Sequence, residues 1–405
     1  MSRYHSLLTF SLLLLPPFCA FSSRAFPPPR PQTTQTPNSS SAIRGPDMSD
    51  REKASLRGPV HVCVEEVAYP TGKFSTTHTY DIDGKLLVSS SKSSNGSDWV
   101  TTRTYDSDGH LLSIVSGKSG DPGLESLYSY DDSGRLLSIT NNIGKGDRID
   151  FQYDAQGRKS SVQTFAPQSL ESKRNAASSG SPWDAAQMGF GVPSGGTVVT
   201  LYDQNGQPTE AQVLDAQGQL VSRVLRTYGT NGQLSEEKPT FENLAPTVIE
   251  NMPAEQQYQM TPEAIKHMNM VLARVMTGRT PAGMSYTYDS QNRLIATRER
   301  NMMFDQTTSI AYNDQGDKAE EHTTYAENSV VPAGVEFSVG EDGAVTPSSS
   351  STQQSPQSSL PVPEPTVIKY TYQYNAYGNW TQQTATDTAH PSQPPIVRTR
   401  QLTYY

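Results

Sequence analysis

Tyr105-Asp106-Ser107-Asp108-Gly109-His110-Leu111 is the stretch that decides the fold. The same phrase stands 25 residues earlier as Tyr80-Asp81-Ile82-Asp83-Gly84-Lys85-Leu86 and 25 residues later as Tyr130-Asp131-Asp132-Ser133-Gly134-Arg135-Leu136. Tyr153-Asp154-Ala155-Gln156-Gly157 follows after 23 residues, and Tyr202-Asp203-Gln204-Asn205-Gly206 after 49, close to two periods. Variants end at Gly218, Gly232, Asn292, Gly316 and Gly378. A fixed period in this range marks a repeat architecture.

Each unit reads as a β-hairpin. The Asp or Asn after the tyrosine can bond the backbone two residues on, and a glycine four past the tyrosine suits the left-handed position that closes a type I turn with a bulge. Asn292 fits the same reading, because asparagine tolerates positive φ. The structural turn positions are therefore Gly84, Gly109, Gly134, Gly157, Gly206, Gly218, Gly232, Asn292, Gly316 and Gly378. Trp99, Thr101, Arg103 and Tyr105 alternate with Val100, Thr102 and Thr104, while Leu111, Leu112, Ile114 and Val115 supply a return strand. A lone hairpin is marginally stable in water, so the units pair sideways. The expected fold is mainly β, with repeated antiparallel hairpins forming one long curved or spiralling sheet.

Three insertions interrupt it, at 165–197, 238–283 and 327–366. The last is low in complexity around Ser348 to Thr352 and reads as a disordered linker. The second holds one amphipathic helix at about 261–276, opened by Thr261 and Pro262 and ended by Gly278. Ile265, Met268, Leu272 and Val275 share one face of it, suited to packing over the sheet, or else to docking a partner through its methionines.

The N-terminus reads as an address. Arg3 and His5 precede the apolar run Leu7 to Leu15, with small residues up to Ala25, so residues 1–25 form a signal peptide. The run is broken by Pro16-Pro17 and is too short to span a bilayer, which takes about 20 apolar residues. Residues 26–57 are rich in Pro, Ser and Thr and read as a disordered linker, leaving 58–405 as the repeat domain. Loss of Cys19 with the signal leaves Cys63, in a strand-like context, as a small buried hydrophobe. A lipoprotein anchor on Cys19 is the lesser alternative, since Phe18 stands where a small residue is usual. Location outside the cytoplasm is expected: extracellular, periplasmic or at the cell surface.

Only 18% of residues are charged, against about 25% in an ordinary domain, and the net charge is −9. Nucleic acid is not expected as a partner, because tracking phosphates takes clustered Lys and Arg. No Gly-x-Ser-x-Gly, His-Glu-x-x-His or P-loop phrase occurs, and the histidines are dispersed, so neither an enzyme nor a cofactor is expected. Asp81-x-Asp83 and Asp106-x-Asp108 invite a calcium reading. They lack the distal bidentate ligand, and later copies replace the second acid with Ser133, Gln156 or Asn205, so turn chemistry is preferred and no metal site is expected.

The remaining functional handle is aromatic. Trp99, Tyr105, Tyr128, Tyr130, Tyr286, Tyr288, Tyr370, Tyr372 and Trp380 form the candidate binding platform. Tyrosines two apart share a strand face and stack into ladders. If that face is covered, the ladders are core; if it is open, they offer glycans or a protein flat rings with polar tips.

A Tyr-Asp phrase with glycine four past the tyrosine, at spacings of 23 to 25, resembles the YD repeat of the rearrangement-hotspot (RHS) family. The ending Tyr374-Asn375-Ala376-Tyr377-Gly378-Asn379-Trp380 is similar to the last repeat of short exported bacterial members. The likeness covers about 58–163, 198–236, 284–325 and 367–405. It implies a β-ribbon that curls into a spiral or shell, which in large relatives encloses a toxic cargo or presents an adhesive surface. Because the sequence stops at Tyr405, straight after the last repeat, no toxic domain is expected. Ten hairpins are few for a closed cocoon, so an open, curved sheet is expected. The functional expectation is an exported, non-enzymatic protein that binds or scaffolds at the envelope or outside the cell, with a carbohydrate or cell-surface protein as partner. The alternative is an accessory or truncated member of an RHS-type toxin-delivery system. No membrane span is expected once the signal is removed, and the oligomeric state stays open.

Overall fold

Gly72–Tyr80 and Leu86–Ser93 are antiparallel strands joined by the turn that the first Tyr-Asp phrase builds. Asp81 Oδ1 accepts from the Lys85 amide at 2.8 Å, and the Gly84 amide donates to the Asp81 carbonyl at 3.1 Å. The next turn repeats this, with Asp106 Oδ1 accepting from the amides of Asp108 (2.9 Å) and His110 (2.8 Å). Closing the loop needs a left-handed residue at the fourth position. Gly84 and Gly109 stand at φ +87° and Asn292 at +62°, and the other seven turn glycines lie between. The register shifts as the strand enters most of the turns, as at Thr79/Tyr80, Thr104/Tyr105 and Ser129/Tyr130, which places a bulge beside those phrases; the Tyr153 phrase pairs without a shift.

A computed structural model describes residues 8–10, 48–69, 72–93, 96, 98–121, 123–142, 147–165, 181–245, 261–277, 282–301, 304–328, 336–339, 345–348 and 362–405. Cys19, Gly278, nearly all of the signal stretch and most of the linker before residue 48 lie outside the described residues.

Each hairpin pairs with the next, and the result is one antiparallel ring of 20 strands. The first of these, Val60–Tyr69, pairs with Gly72–Tyr80 on one side and with the last, Ile396–Tyr404, on the other. The expected β architecture of repeated hairpins is thus present, while the expectation of an open sheet is corrected: the ring closes. Bulges at successive turns add local twist and bend to the sheet, and closure removes the two free edges that an open ribbon would expose.

In a closed ring one sheet face turns inward, where side chains converge. Following the register, Cys63 faces His78, His78 faces Ser89, Ser89 faces Thr101 and Thr101 faces Ser116. Farther round, Ser161 faces Thr200, Thr200 faces Ala211 and Ala211 faces Val224. Cys63, Thr101, Ser116, Ser161, Thr200, Ala211 and Val224 are all buried, so this continuous face is the inner wall. Thr102, Thr104, Leu127, Ser129, Thr307 and Ser309 alternate onto the other face and are exposed.

Within the 165–197 insertion, Pro182–Gln187 is a short helix capped by Ser181. Its Trp183 packs with Val198, Ala211, Val213 and Val224 of the wall, and burying a valine contributes about 1.5–3 kcal/mol. The amphipathic helix is present as Pro262–Thr277, with Met268 buried and Leu272 against the Trp183 cluster. A four-residue helix, Asp50–Lys53, occupies the end of the stretch read as linker and is held by a Ser49/Glu52 capping box. Leu8–Phe10, Glu336–Val339 and Val345–Ser348 form a separate three-stranded sheet.

Candidate functional site

The nine candidate platform residues do not form an open surface: each is buried or half-buried. Trp99 is held on the inner wall, where its Nε1 donates to Ser116 Oγ at 2.8 Å, and Ser116 shares a further hydrogen bond with Thr101 at 2.7 Å. Tyr128, Tyr370 and Tyr372 lie on the same wall, and Tyr286 is 9% exposed. Trp380 lies 3.6 Å beneath the Arg400 guanidinium.

The tyrosines of the phrase serve the repeat itself. The hydroxyls of Tyr105, Tyr130, Tyr288 and Tyr312 donate to the carbonyls of Leu86, Leu111, Leu234 and Leu294, at 3.1, 2.9, 2.9 and 2.7 Å. In every case the acceptor is the sixth residue past the previous phrase's tyrosine. The fifth residue covers the ring: Lys85 lies over Tyr105, Arg135 over Tyr153 and Arg293 over Tyr312, at 5.4, 4.8 and 4.7 Å. Burial pushes Tyr105 and Tyr288 up to about 12, so both stay protonated donors at neutral pH.

The wall also carries charge. Glu237, fully buried, accepts from Arg226 at 2.8 and 3.0 Å and from Ser181 Oγ at 2.6 Å, while Arg226 lies 4.0 Å over Trp183. Near the seam Arg400 Nε donates to Glu65 at 3.0 Å. Arg103 has no hydrogen bond or ion pair among the described residues, and its Nη1 is buried without a partner, as are Arg400 Nη1 and His78 Nδ1. Burial, with Arg103 and Arg400 adding to it, pushes His78 below its usual value. Burial raises the Cys63 thiol to about 11, which makes it unreactive at neutral pH.

At the exposed second turn, Asp106, Asp108 and His110 bring three ligand-type atoms within 4.8 Å of one another. His110 Nδ1 is bonded to Asp106 Oδ2 at 2.9 Å, and Asp106 Oδ1 serves the turn amides, so the Asp106 and His110 side chains are engaged in building the turn.

Alternation along Trp99, Thr101, Arg103 and Tyr105 placed these residues on one strand face. Which charges would find counterions there was hidden, because partners such as Glu65 for Arg400 lie hundreds of residues away in sequence. Sequence reasoning does not single out Arg226 and Glu237 or give Trp183 a role, since no periodic pattern links the helix that Ser181 caps to the strand carrying Glu237.

Residues 130–166 match the model of the RHS repeat. This chain is similar to the RHS family over that stretch. No curated protein matches it. Among solved structures, a porin-like protein from Bacteroides uniformis superposes with a TM-score of 0.28 at 10% identity, over 86% of this chain and 99% of that one. A porin-like protein from Bacteroides vulgatus gives 0.22 at 9%, over 85% and 99%. The TcdB2-TccC3-Cdc42 structure gives 0.18 at 14%, over 82% of this chain and 19% of that one. These superpositions are too loose to denote a shared fold.

No described helix is long and apolar enough to cross a membrane. The outer face of the ring carries the ion pairs Arg148–Asp150 and Arg298–Asp305, at 2.7 and 2.5 Å, among exposed threonines.

Proposed function

We propose that this protein is an exported, non-enzymatic scaffold that holds a glycan or a cell-surface protein partner at the envelope or outside the cell. The observation that carries this reading is the closed ring, in which Val60–Tyr69 pairs with Ile396–Tyr404 and the phrase tyrosines bond hairpin to hairpin. A sheet without edges, cross-linked at most of its repeats, is suited to presenting a fixed surface to a partner. The signal-like N-terminus supports export, and an exposed face rich in hydroxyls and paired charges suits a polar partner.

Fractionation of the native host, followed by glycan-array binding and capture of surface proteins with the purified chain, tests the proposal. Recovery outside the cytoplasm with saturable binding and no substrate turnover is expected. Cytoplasmic retention, or turnover of a bound compound, would overturn it.

A further inference from the structure

The inner wall near the seam holds guanidinium and imidazole nitrogens that find no partner among the described residues. Arg400 faces Glu65 across the seam, and two residues along that strand Cys63 faces His78. The register continues from His78 through Ser89 to Thr101, and Arg103 lies two residues farther on, on the same face. Two guanidinium groups and an imidazole thus line one stretch of wall that spans the junction between the first and last repeats. Glu65 is the carboxylate bonded to Arg400, and Arg103 has neither an ion pair nor a hydrogen bond among the described residues.

A guanidinium Nη1 cut off from solvent with no acceptor among the described residues, as in half-buried Arg103, is costly. The three orphaned atoms, Arg103 Nη1, Arg400 Nη1 and His78 Nδ1, are chemically alike: two are obligate donors, and the third becomes one in the appropriate tautomer or when protonated. Trp380 stacks under Arg400 and Glu65 holds its Nε, so the guanidinium is fixed in place with its Nη1 side left over. The missing component is an acceptor of negative charge.

We propose that Arg103, Arg400 and His78 form a binding site for an oxyanion, a carboxylate or phosphate group, on the inner wall of the ring. The planar fork of arginine matches the paired oxygens of either group. The site goes beyond the scaffold reading, because it assigns a ligand chemistry to residues that scaffolding does not use.

The test uses the full chain at low ionic strength, with inorganic phosphate and acetate as separate probes. Thermal unfolding and isothermal titration are followed for the wild type, Arg103→Met, Arg400→Met and, as a control on the outer face, Arg298→Met. Binding to N alone raises the unfolding midpoint in a saturable way. The expected result is saturable binding of at least one probe, weakened at least tenfold by Arg103→Met and unchanged by Arg298→Met. Without anion, Arg103→Met is expected to fold with an unchanged or higher midpoint, which keeps the test valid if Arg400→Met, losing the Glu65 pair, does not fold. A preference for phosphate or for acetate identifies which group the site takes. Failure of both probes to bind, or equal binding by wild type and Arg103→Met, would overturn the proposal and leave the scaffold reading untouched.

Discussion

The hydroxyl of Tyr130 donates to the main-chain carbonyl of Leu111 at 2.9 Å, tying one hairpin to the one before it. His110 packs its ring 4.9 Å from that of Tyr130, so a single turn supplies both the acceptor and the cover. The same relation runs from Tyr105 to Leu86 and from Tyr312 to Leu294. The tyrosine of the repeat is therefore a joint between units as much as a mark of the turn.

Tyr130→Phe removes the donor and leaves the Leu111 carbonyl without its partner. A loss of about 1–2 kcal/mol is expected from urea unfolding, in line with an unmade bond in a half-buried site. A matching loss in Tyr105→Phe, and none in an exposed-face change such as Ser309→Ala, would mark the effect as belonging to the joint.

Gly157 stands at φ +76° with nothing within 4 Å of where a Cβ would lie. Gly157→Ala therefore reports backbone strain alone and is expected to destabilise by about 1–2 kcal/mol. Gly157→Asn is expected to cost less, as Asn292 already occupies the equivalent position at φ +62°. Equal stability of the alanine and glycine forms would refute the left-handed turn.

Asn379 is 2% exposed and clasps the seam: its Oδ1 accepts from the Arg57 amide at 2.7 Å, and its Nδ2 donates to the Arg57 carbonyl at 2.8 Å. Asn379→Ala leaves both backbone groups unmatched, with an expected loss of about 2–3 kcal/mol. Hydrogen exchange is expected to accelerate first in Val60–Tyr69 and Ile396–Tyr404, because the clasp sits at their junction. Uniform acceleration round the ring would contradict that role.

His390 lies between two carboxylates, with Nδ1 2.7 Å from Asp387 and Nε2 3.0 Å from Glu364. The Asp387 hydrogen bond, then that of Glu364, raises its pKa above the ordinary imidazole value of about 6.5. The stabilisation is complete below that ordinary value and is lost as pH rises through the raised one. Burial pushes Asp387 up, but hydrogen bonds from His390 and the Ala389 amide outweigh it and leave it low, so its contribution is lost only as pH falls through that lowered value. An imidazole titration by NMR is expected to place His390 above 6.5, with Glu364→Gln moving it back toward that value. A midpoint at or below the ordinary value would contradict the clasp.

The turns and strand alternation were legible in the sequence because both are local: an Asp, a Gly or Asn and a tyrosine within five residues carry the whole instruction. Ring closure was not, since it depends on Val60–Tyr69 finding Ile396–Tyr404, and no spacing rule reports how much curvature twenty strands accumulate. The aromatic residues were legible as a set, but their use was not. Whether Tyr105 faces a ligand or the Leu86 carbonyl is decided by the offset between adjacent hairpins. Arg103 looked like one more alternating residue, and its lack of a counterion appears only once the neighbouring strands are in place.

Closure itself is open to a direct chemical test at Glu66 and Thr399, which face each other across the first and last strands of the ring. In a background lacking Cys19 and Cys63, Glu66→Cys combined with Thr399→Cys brings two thiols to directly opposed positions, about 4.5–5.5 Å apart at Cα. A closed ring predicts rapid formation of an intramolecular disulfide in the folded monomer, seen as a shift in non-reducing electrophoresis and a linked peptide in mass spectrometry. Free thiols, or linkage only between separate molecules, would mean that the sheet stays open.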